Sequence, residues 1–114
     1  MKHTKIGKLG EAIAARHMQH LGYIILSANI RIAGVEVDLL TQKDNIVYVV
    51  EVKSSVVGTN FNSPLDRIVT NKLHRLSRAA DWYSREYGVS VSLLALSVCI
   101  NIKEKNAVCE MLEL

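Results

Sequence analysis

Hydrophobic residues along the chain follow two different spacings, which predict two helices and several short strands. Residues 5–21 and 71–87 carry apolar side chains at helical spacing, with charged side chains between them. Gly22 and Gly88 follow these segments directly, as glycine often does after the C-terminus of a helix. Thr70 is predicted to be the N-cap of the second helix. The predicted apolar side of the first helix consists of Ile6, Leu9, Ile13 and Leu21, and that of the second consists of Leu73, Leu76, Ala80, Tyr83 and Tyr87. Trp82, Tyr83 and Tyr87 are expected in the core or at its edge.

Short apolar runs rich in β-branched residues predict the strands. Residues 23–28, 35–41 and 46–52 form three such runs, 89–102 is typical of a central strand buried on both faces, and 107–111 is predicted as an edge strand. Asp44 and Asn45 favour a tight hairpin turn, so the second and third strands should pair antiparallel. Residues 54–64 are predicted to form a mobile loop. The order αβββαβ(β) indicates an α/β fold whose mixed sheet is flanked by two long helices.

Composition narrows the class of protein. The chain of 114 residues is 49% hydrophobic and 22% charged, which is typical of a single globular domain spanning residues 1–114. Cys99 and Cys109 lack the spacing of a zinc site, and no apolar stretch is long enough for a membrane span. We therefore expect a cytoplasmic protein with no membrane association. The net charge of +3 is compatible with a polyanionic partner but does not establish one.

Two neighbouring strands carry acidic residues inside apolar segments. If Asp44 and Asn45 form a two-residue turn, the register places Asp38 opposite Glu51 and Glu36 opposite Lys53. Directly opposed Cβ atoms lie about 4.5–5.5 Å apart, and like charges at that distance destabilise a sheet. The sequence therefore predicts that the repulsion between two carboxylates is compensated.

A divalent cation is one compensation that the spacing permits. Magnesium binds one or two carboxylates together with water and phosphate oxygens, and Lys53, on the same face as Glu51, could then orient the attacking water. The alternative from spacing alone is a surface salt bridge between Glu36 and Lys53, with Asp38 and Glu51 pointing to solvent. The residues leave both interpretations open, although an unpaired charge is costly among such apolar neighbours.

An ordered series of motifs resembles a known group of nucleases. Gly10-Glu11, Asp38 and Glu51-Val52-Lys53 are similar to the PD-(D/E)XK signature. More closely, the chain resembles the YraN-type family of small bacterial proteins, through Gly7-x-x-Gly10-Glu11-x-x-Ala14, Gly22-Tyr23-Ile24-Ile25-Leu26, Asn29-x-Arg31, Glu36-Val37-Asp38-Leu39, Val50-Glu51-Val52-Lys53 and Lys72. Val35 and Ser55 depart from that pattern, which usually has glycine and often arginine at these places.

The resemblance implies a restriction-endonuclease-like αβββαβ core and a nuclease that uses Mg²⁺, with Mn²⁺ as the alternative. It implies that Asp38, Glu51 and the carbonyl of Val52 bind the metal, that Lys53 assists the water, and that Glu11 contributes from the first helix. We expect the nuclease to hydrolyse DNA phosphodiester bonds and to select branched, nicked or single-stranded structures over a defined sequence. The alternative is a catalytically inactive nucleic-acid-binding or interaction module of a DNA-processing complex.

Basic residues are expected to bind the backbone of the nucleic acid. Lys72, Arg75 and Arg78 share one side of the second helix, and the resemblance adds Arg31. An ordinary solvated helix surface is the alternative for the three helical residues. The sequence also leaves open a homodimer or a protein partner in DNA repair or recombination, and the choice between DNA and RNA.

Overall fold

The computed structural model describes residues 5–58 and 70–114, and the elements in these residues follow the predicted order. The helices are α1 (Lys5–His20) and α2 (Thr70–Tyr87). The strands are β1 (Ile24–Ile32), β2 (Val35–Lys43), β3 (Ile46–Val56), β4 (Ser90–Asn101) and β5 (Asn106–Glu113). The chain is therefore an α/β protein with two helices and one five-stranded sheet in its described part.

The sheet is mixed, and its spatial order is the sequence order, β1-β2-β3-β4-β5. Adjacent strands pair antiparallel except β3 and β4, which are parallel and are connected through α2. Asp44 has a positive φ of 57° in the turn between β2 and β3, as expected for a tight hairpin. β4 lies between β3 and β5, and its residues 94–98 are buried, so the prediction of a central strand is confirmed.

One helix packs against each face of the sheet. α1 covers a cluster that includes Leu39, Val50 and Leu96, and α2 covers a second cluster that includes Leu40 and Val49. Neighbouring residues of β2 and β3 thus enter different clusters, because successive side chains of a strand point to opposite faces. Both faces of the sheet are hydrophobic, which explains the nearly continuous apolar runs in these strands.

The predicted buried side of α1 is only partly correct. α1 buries Gly10, Ala14 and Met18, whereas Leu9 is 46% exposed. Gly10 allows this close packing, because a Cβ atom built on it would lie 2.7 Å from Ser54 Cβ and still closer to the Ser54 hydroxyl. The helix turns its small residues toward β3, since the short distance between the two elements leaves no room for larger ones.

Two further predictions require correction. Residues 54–56, assigned to a mobile loop, continue β3, where Ser54 pairs with Val98 of β4. Residues 59–64 of that predicted loop lie outside the described residues. In α2, Tyr83 packs against the core, but Trp82 is 38% and Tyr87 59% exposed, because only one side of the helix faces the sheet.

Candidate functional site

The hairpin of β2 and β3 has the predicted register up to the point where its acidic residues begin. Lys43 pairs with Ile46, and regular pairing continues to Leu39 and Val50. The next pair in the register would be Asp38 and Glu51, but the ladder stops there. Val37 also joins the cluster that contains Leu40, whereas strict alternation would place it with Leu39. The regular geometry of β2 is therefore interrupted at Asp38.

The Asp38 side chain takes the place of a backbone acceptor at this interruption. The backbone N–H of Val52 donates a hydrogen bond of 2.7 Å to Asp38 Oδ2. Asp38 is 4% exposed and Glu51 is 3% exposed, so both carboxyl groups are buried. The alternative in which Asp38 and Glu51 point to solvent is wrong, because α2 and the neighbouring strands cover them.

Asp38 and Glu51 face one cavity of about 270 Å³ between the sheet and the start of α2. Its walls combine acidic and basic side chains with apolar surface. The lining residues are Arg31, Gly34, Val35, Glu36, Asp38, Glu51, Lys72, Arg75 and Leu76. The cavity therefore brings together residues from β1, β2, β3 and α2.

The environment of Asp38 favours its protonated form. Burial, followed by the charge of Glu51, raises the pKa of Asp38 to about 7, and the charge of Glu11 raises it further. The hydrogen bond from Val52 and the charge of Lys72 oppose this rise because they stabilise the carboxylate. The repulsion between two buried acidic groups is relieved when one of them binds a proton or when a cation binds between them.

Two lysines contact the carboxylate of Glu51. Lys53 Nζ lies 3.3 Å from Glu51 Oε2, and Lys72 Nζ of α2 forms a second ion pair with the same oxygen. The lysine side chains are about one quarter exposed, whereas that of Glu51 is nearly inaccessible. The Glu51 carboxylate is thus held between the lysine of its own strand and the lysine of the facing helix.

The two lysines differ in their pKa values. Burial, followed by the hydrogen bond to Lys72, lowers the pKa of Lys53, although Glu51 opposes this. Burial alone would lower the pKa of Lys72, but its hydrogen bonds to Glu51 and Lys53 and the charges of Glu51 and Asp38 raise it. Lys72 is therefore the stronger base of the pair, and Lys53 loses its proton more readily.

The predicted pairing of Glu36 with Lys53 is wrong. Glu36 lies opposite Arg31 of β1, and the distance from its Oε2 to Arg31 Nη2 is 4.0 Å. Because pairing between β2 and β3 ends at Leu39, Glu36 has no partner on β3. In the described part of the chain, Glu36 Oε1 is a buried oxygen with no hydrogen-bond partner. Glu36 is thus a third acidic residue at the cavity, in addition to the two that the sequence predicts.

The remaining predicted site residues are divided between the cavity and its surroundings. Lys72, Arg75 and Arg31 line the cavity, and Arg31 Nη1 also donates to the carbonyl oxygen of Gly34 at 3.0 Å. Arg78, from the same predicted basic side of α2, instead lines a depression with His74 and Asp81. Glu11 lies on α1 outside the cavity lining but affects Asp38 electrostatically.

The residues of the cavity fit a divalent cation. Asp38 and Glu51 supply hard carboxylate oxygens. Burial, followed by the charge of Glu51, raises the pKa of Asp38, and a bound cation would stabilise the ionised carboxylate against both. Within residues 5–58 and 70–114, no three His, Cys, Asp or Glu side chains converge closely enough to form a metal cluster. Magnesium usually binds one or two carboxylates and completes its coordination with water and phosphate oxygens, so two carboxyl groups fit this ion. Val52 contributes its N–H to Asp38, and the predicted role of its carbonyl stays a prediction.

Two features of this site are not predicted by the sequence. Lys72 is predicted only to bind phosphate, whereas in the structure it contacts Glu51 directly. Glu36 is predicted to pair with β3, whereas it pairs with β1. Helical spacing predicted that Lys72 and Arg75 share one side of α2, but no local pattern indicates which part of the sheet that side faces.

The chain matches other proteins over most of its length. The uncharacterised protein family UPF0102 matches residues 10–111, a range that contains every residue lining the cavity. A UPF0102 protein of Flavobacterium johnsoniae is 42% identical over 82 residues, which cover 72% of this chain and 66% of the relative. A UPF0102 protein of Chloroherpeton thalassium is 33% identical over 110 residues, covering 94% and 84% of the two chains. One of Leifsonia xyli is 34% identical over 87 residues, covering 76% and 73%.

No helix in the part of the chain that the structure describes is long and apolar enough to cross a bilayer.

Proposed function

The chain belongs to the uncharacterised protein family UPF0102, and we propose that it is a metal-dependent nuclease with a restriction-endonuclease-like core that hydrolyses DNA phosphodiester bonds. One observation carries the proposal: two buried carboxyl groups, Asp38 and Glu51, face one cavity, and Lys53, which is not one of the residues that line this cavity, contacts Glu51. A buried acidic pair is costly unless a cation or a proton compensates it. The resemblance to PD-(D/E)XK nucleases supports the same assignment.

Asp38 and Glu51 would hold the cation, which we propose to be Mg²⁺ or Mn²⁺, with the carbonyl of Val52 as a further ligand. When bound, the ion would polarise the phosphate and lower the pKa of a water molecule, which are the usual contributions of metals to hydrolysis. Asp38 has a fixed orientation for this role, because Val52 N–H holds one of its oxygens. This hydrogen bond involves only Oδ2 of Asp38 and does not engage Oδ1.

Lys53 is suited to handle the proton of the attacking water. Its lowered pKa increases the fraction of the amine that is unprotonated at a given pH. Only the unprotonated amine can accept a proton as a general base. The contact with Glu51 at 3.3 Å fixes the position of the amine relative to the acidic pair. Glu11 adds negative charge near Asp38 from α1, and we propose that it contributes to the site electrostatically.

The rim of the cavity is suited to a phosphate backbone. Arg31, Lys72 and Arg75 surround the acidic pair with positive charge, and Arg31 is exposed. Contacts to phosphates carry no sequence information. We therefore propose recognition of DNA structure, such as branched, nicked or single-stranded DNA, rather than of a defined sequence.

The proposed function is tested by cleavage of a panel of duplex, nicked, branched and single-stranded DNA and of matched RNA by the purified full chain. We expect cleavage in Mg²⁺ or Mn²⁺, none with a chelator, and none by Asp38→Asn. Asp81→Asn is the matched control, since Asp81 is an exposed acid of α2 outside the cavity. Cleavage that survives Asp38→Asn would contradict the assignment of this cavity as the active site.

A second function has one observation in its favour. Glu51 is already neutralised by Lys53 and Lys72, as in an ion-pair network that has a structural role. A catalytically inactive module that binds nucleic acid through the same basic rim would be consistent with this. Binding to the DNA panel without cleavage of any member, under every metal condition, would favour the module.

A further inference from the structure

Lys72 occupies the side of Glu51 that faces the cavity. It lies in the first turns of α2, and its ammonium group contacts Glu51 Oε2 and lies within electrostatic reach of Asp38. The acidic pair is therefore compensated in this structure by a cation that belongs to the chain itself. Lys53 also contacts Glu51, but from the same strand, whereas Lys72 belongs to a different element.

The position of Lys72 is incompatible with full access of a divalent cation to Glu51. Two cations that share one carboxylate oxygen repel each other, and this repulsion is strong in a buried site of low dielectric constant. The lysine side chain has four rotatable bonds and is about one quarter exposed, so its ammonium group can move toward solvent without a change in the backbone. Glu51, which is buried in the sheet, cannot move in the same way.

We propose that Lys72 is a built-in counter-ion of the acidic pair, which leaves Glu51 when a divalent cation binds and then binds a phosphate of the nucleic acid at the rim of the cavity. This inference rests on the proposed metal site. One side chain thus has two partners, Glu51 before metal binding and the substrate after it. Arg75 lies on the same side of α2 and lines the same cavity, so the released ammonium group of Lys72 and the guanidinium group of Arg75 would bind phosphate at the same part of the rim.

Metal and nucleic acid should bind to this cavity cooperatively. Metal binding makes Lys72 available to the phosphate, and a phosphate that holds Lys72 away from Glu51 makes the carboxylate available to the metal. The two ligands must then strengthen each other's binding by the same factor, because coupling between two sites is reciprocal. Empty protein would present fewer cations to nucleic acid than metal-loaded protein.

The first test measures Mg²⁺ affinity by isothermal titration calorimetry, without nucleic acid and at constant ionic strength. Lys72→Met keeps the length of the side chain but removes the competitor, and we expect about tenfold tighter Mg²⁺ binding, the scale of one charge-assisted hydrogen bond. Arg85→Met is the matched control, because it removes one positive charge from the exposed last turn of the same helix. It should bind Mg²⁺ as the unmodified chain does.

The result separates this inference from the proposed function. If the unmodified chain binds Mg²⁺ and Lys72→Met binds it equally or more weakly, Lys72 is not a competitor and the inference is wrong, whereas the metal site stands. If Arg85→Met gains as much affinity as Lys72→Met, the effect is one of net charge and the inference is again wrong. If neither the unmodified chain nor Lys72→Met binds Mg²⁺ or Mn²⁺, the metal site fails and the inference fails with it.

A second measurement uses the unmodified chain and does not depend on how Lys72→Met folds. The acetylation rate of Lys72 is followed by mass spectrometry with and without Mg²⁺, and Lys103, which is exposed, serves as the internal reference. We expect Mg²⁺ to raise the rate at Lys72 several-fold relative to Lys103, because the amine leaves its ion pair. An unchanged or lower relative rate in protein that binds Mg²⁺ would overturn the proposal.

Discussion

Replacement of Asp38 by asparagine should stabilise the metal-free protein while it removes the response to magnesium. The amide keeps the shape of the carboxyl group and can still accept the hydrogen bond from Val52 through its oxygen. Its nitrogen can donate toward Glu51, so a repulsion is replaced by an attraction. The substitution therefore removes the conflict between the two acids without leaving the backbone N–H of Val52 unsatisfied.

The size of the effect follows from the pKa of Asp38. Burial and the charge of Glu51 raise it from 3.8 to about 7, and at about 1.36 kcal/mol per pH unit the ionised group lowers the free energy of unfolding by about 4 kcal/mol. Two effects reduce this gain: the two carboxyl groups can adjust their positions, and the buried amide has a desolvation cost of its own. We therefore expect Asp38→Asn to raise the free energy of unfolding by about 1–3 kcal/mol. For a chain of this length, each kcal/mol raises Tm by about 3–8 °C.

The sign of the pH dependence is fixed by the direction of the shift. The folded chain holds the proton of Asp38 more tightly than the unfolded chain, so the contribution of Asp38 to stability is lost as the pH rises from about 4 to about 7. The advantage of Asp38→Asn over the unmodified chain should thus be large at about pH 8 and small at about pH 4. Asp81→Asn, at an exposed position, should show no such difference.

The assay is thermal unfolding followed by circular dichroism, in chelator and in magnesium. If the site binds Mg²⁺ with a Kd of about 1 mM, about 10 mM Mg²⁺ adds about 1.4 kcal/mol to the unmodified chain. Asp38→Asn should gain nothing. A variant that is destabilised to the same extent at both pH values, in a protein that does not respond to magnesium, would refute the reasoning and would make Asp38 an ordinary structural acid.

Three further predictions concern the basic rim, the proton acceptor and the contact between helix and sheet. Alanine at both Lys72 and Arg75 should weaken DNA binding equally for unrelated sequences, and should reduce the slope of log K against log salt concentration by about 1.5. Binding is measured by fluorescence anisotropy in calcium, and an unchanged slope would mean that both residues belong to an ordinary solvated surface. Lys53→Met should abolish cleavage but retain the magnesium-induced rise in Tm, and loss of both would mean that Lys53 holds the site together. Gly10→Ala should cost about 1–3 kcal/mol in urea unfolding, and Ser54→Gly in the same chain should recover most of it.

The hairpin shows how much of the site could be predicted from the sequence. Asp44 and Asn45 determine the turn, the turn determines the register, and the register brings Asp38 and Glu51 to the same level of the sheet. These steps are local, so the sequence contains all the information that they need. The prediction failed where pairing stops, because Asp38 itself replaces the backbone acceptor of Val52 and leaves Glu36 beside β1.

The parts that could not be predicted depend on contacts between distant elements. Helical spacing identified the apolar and basic sides of α2, but whether Lys72 reaches Glu51 depends on how α2 lies on the sheet. The choice of Gly10 over Leu9 as the residue in contact with the sheet depends likewise on the distance between α1 and β3. The spacing of apolar and polar side chains gives no information on such distances, because it describes one element at a time.

The hydrogen bond between Val52 and Asp38 means that the residue proposed to hold the metal is also a structural member of the sheet. In an alanine scan, Asp38→Ala would remove the carboxylate and at the same time deprive a buried backbone N–H of its acceptor. Loss of activity in that variant would therefore not distinguish damaged chemistry from a damaged fold. At this position alanine is therefore the least informative substitution. A catalytic role of Asp38 can be established only with variants whose side chain still accepts the hydrogen bond from Val52.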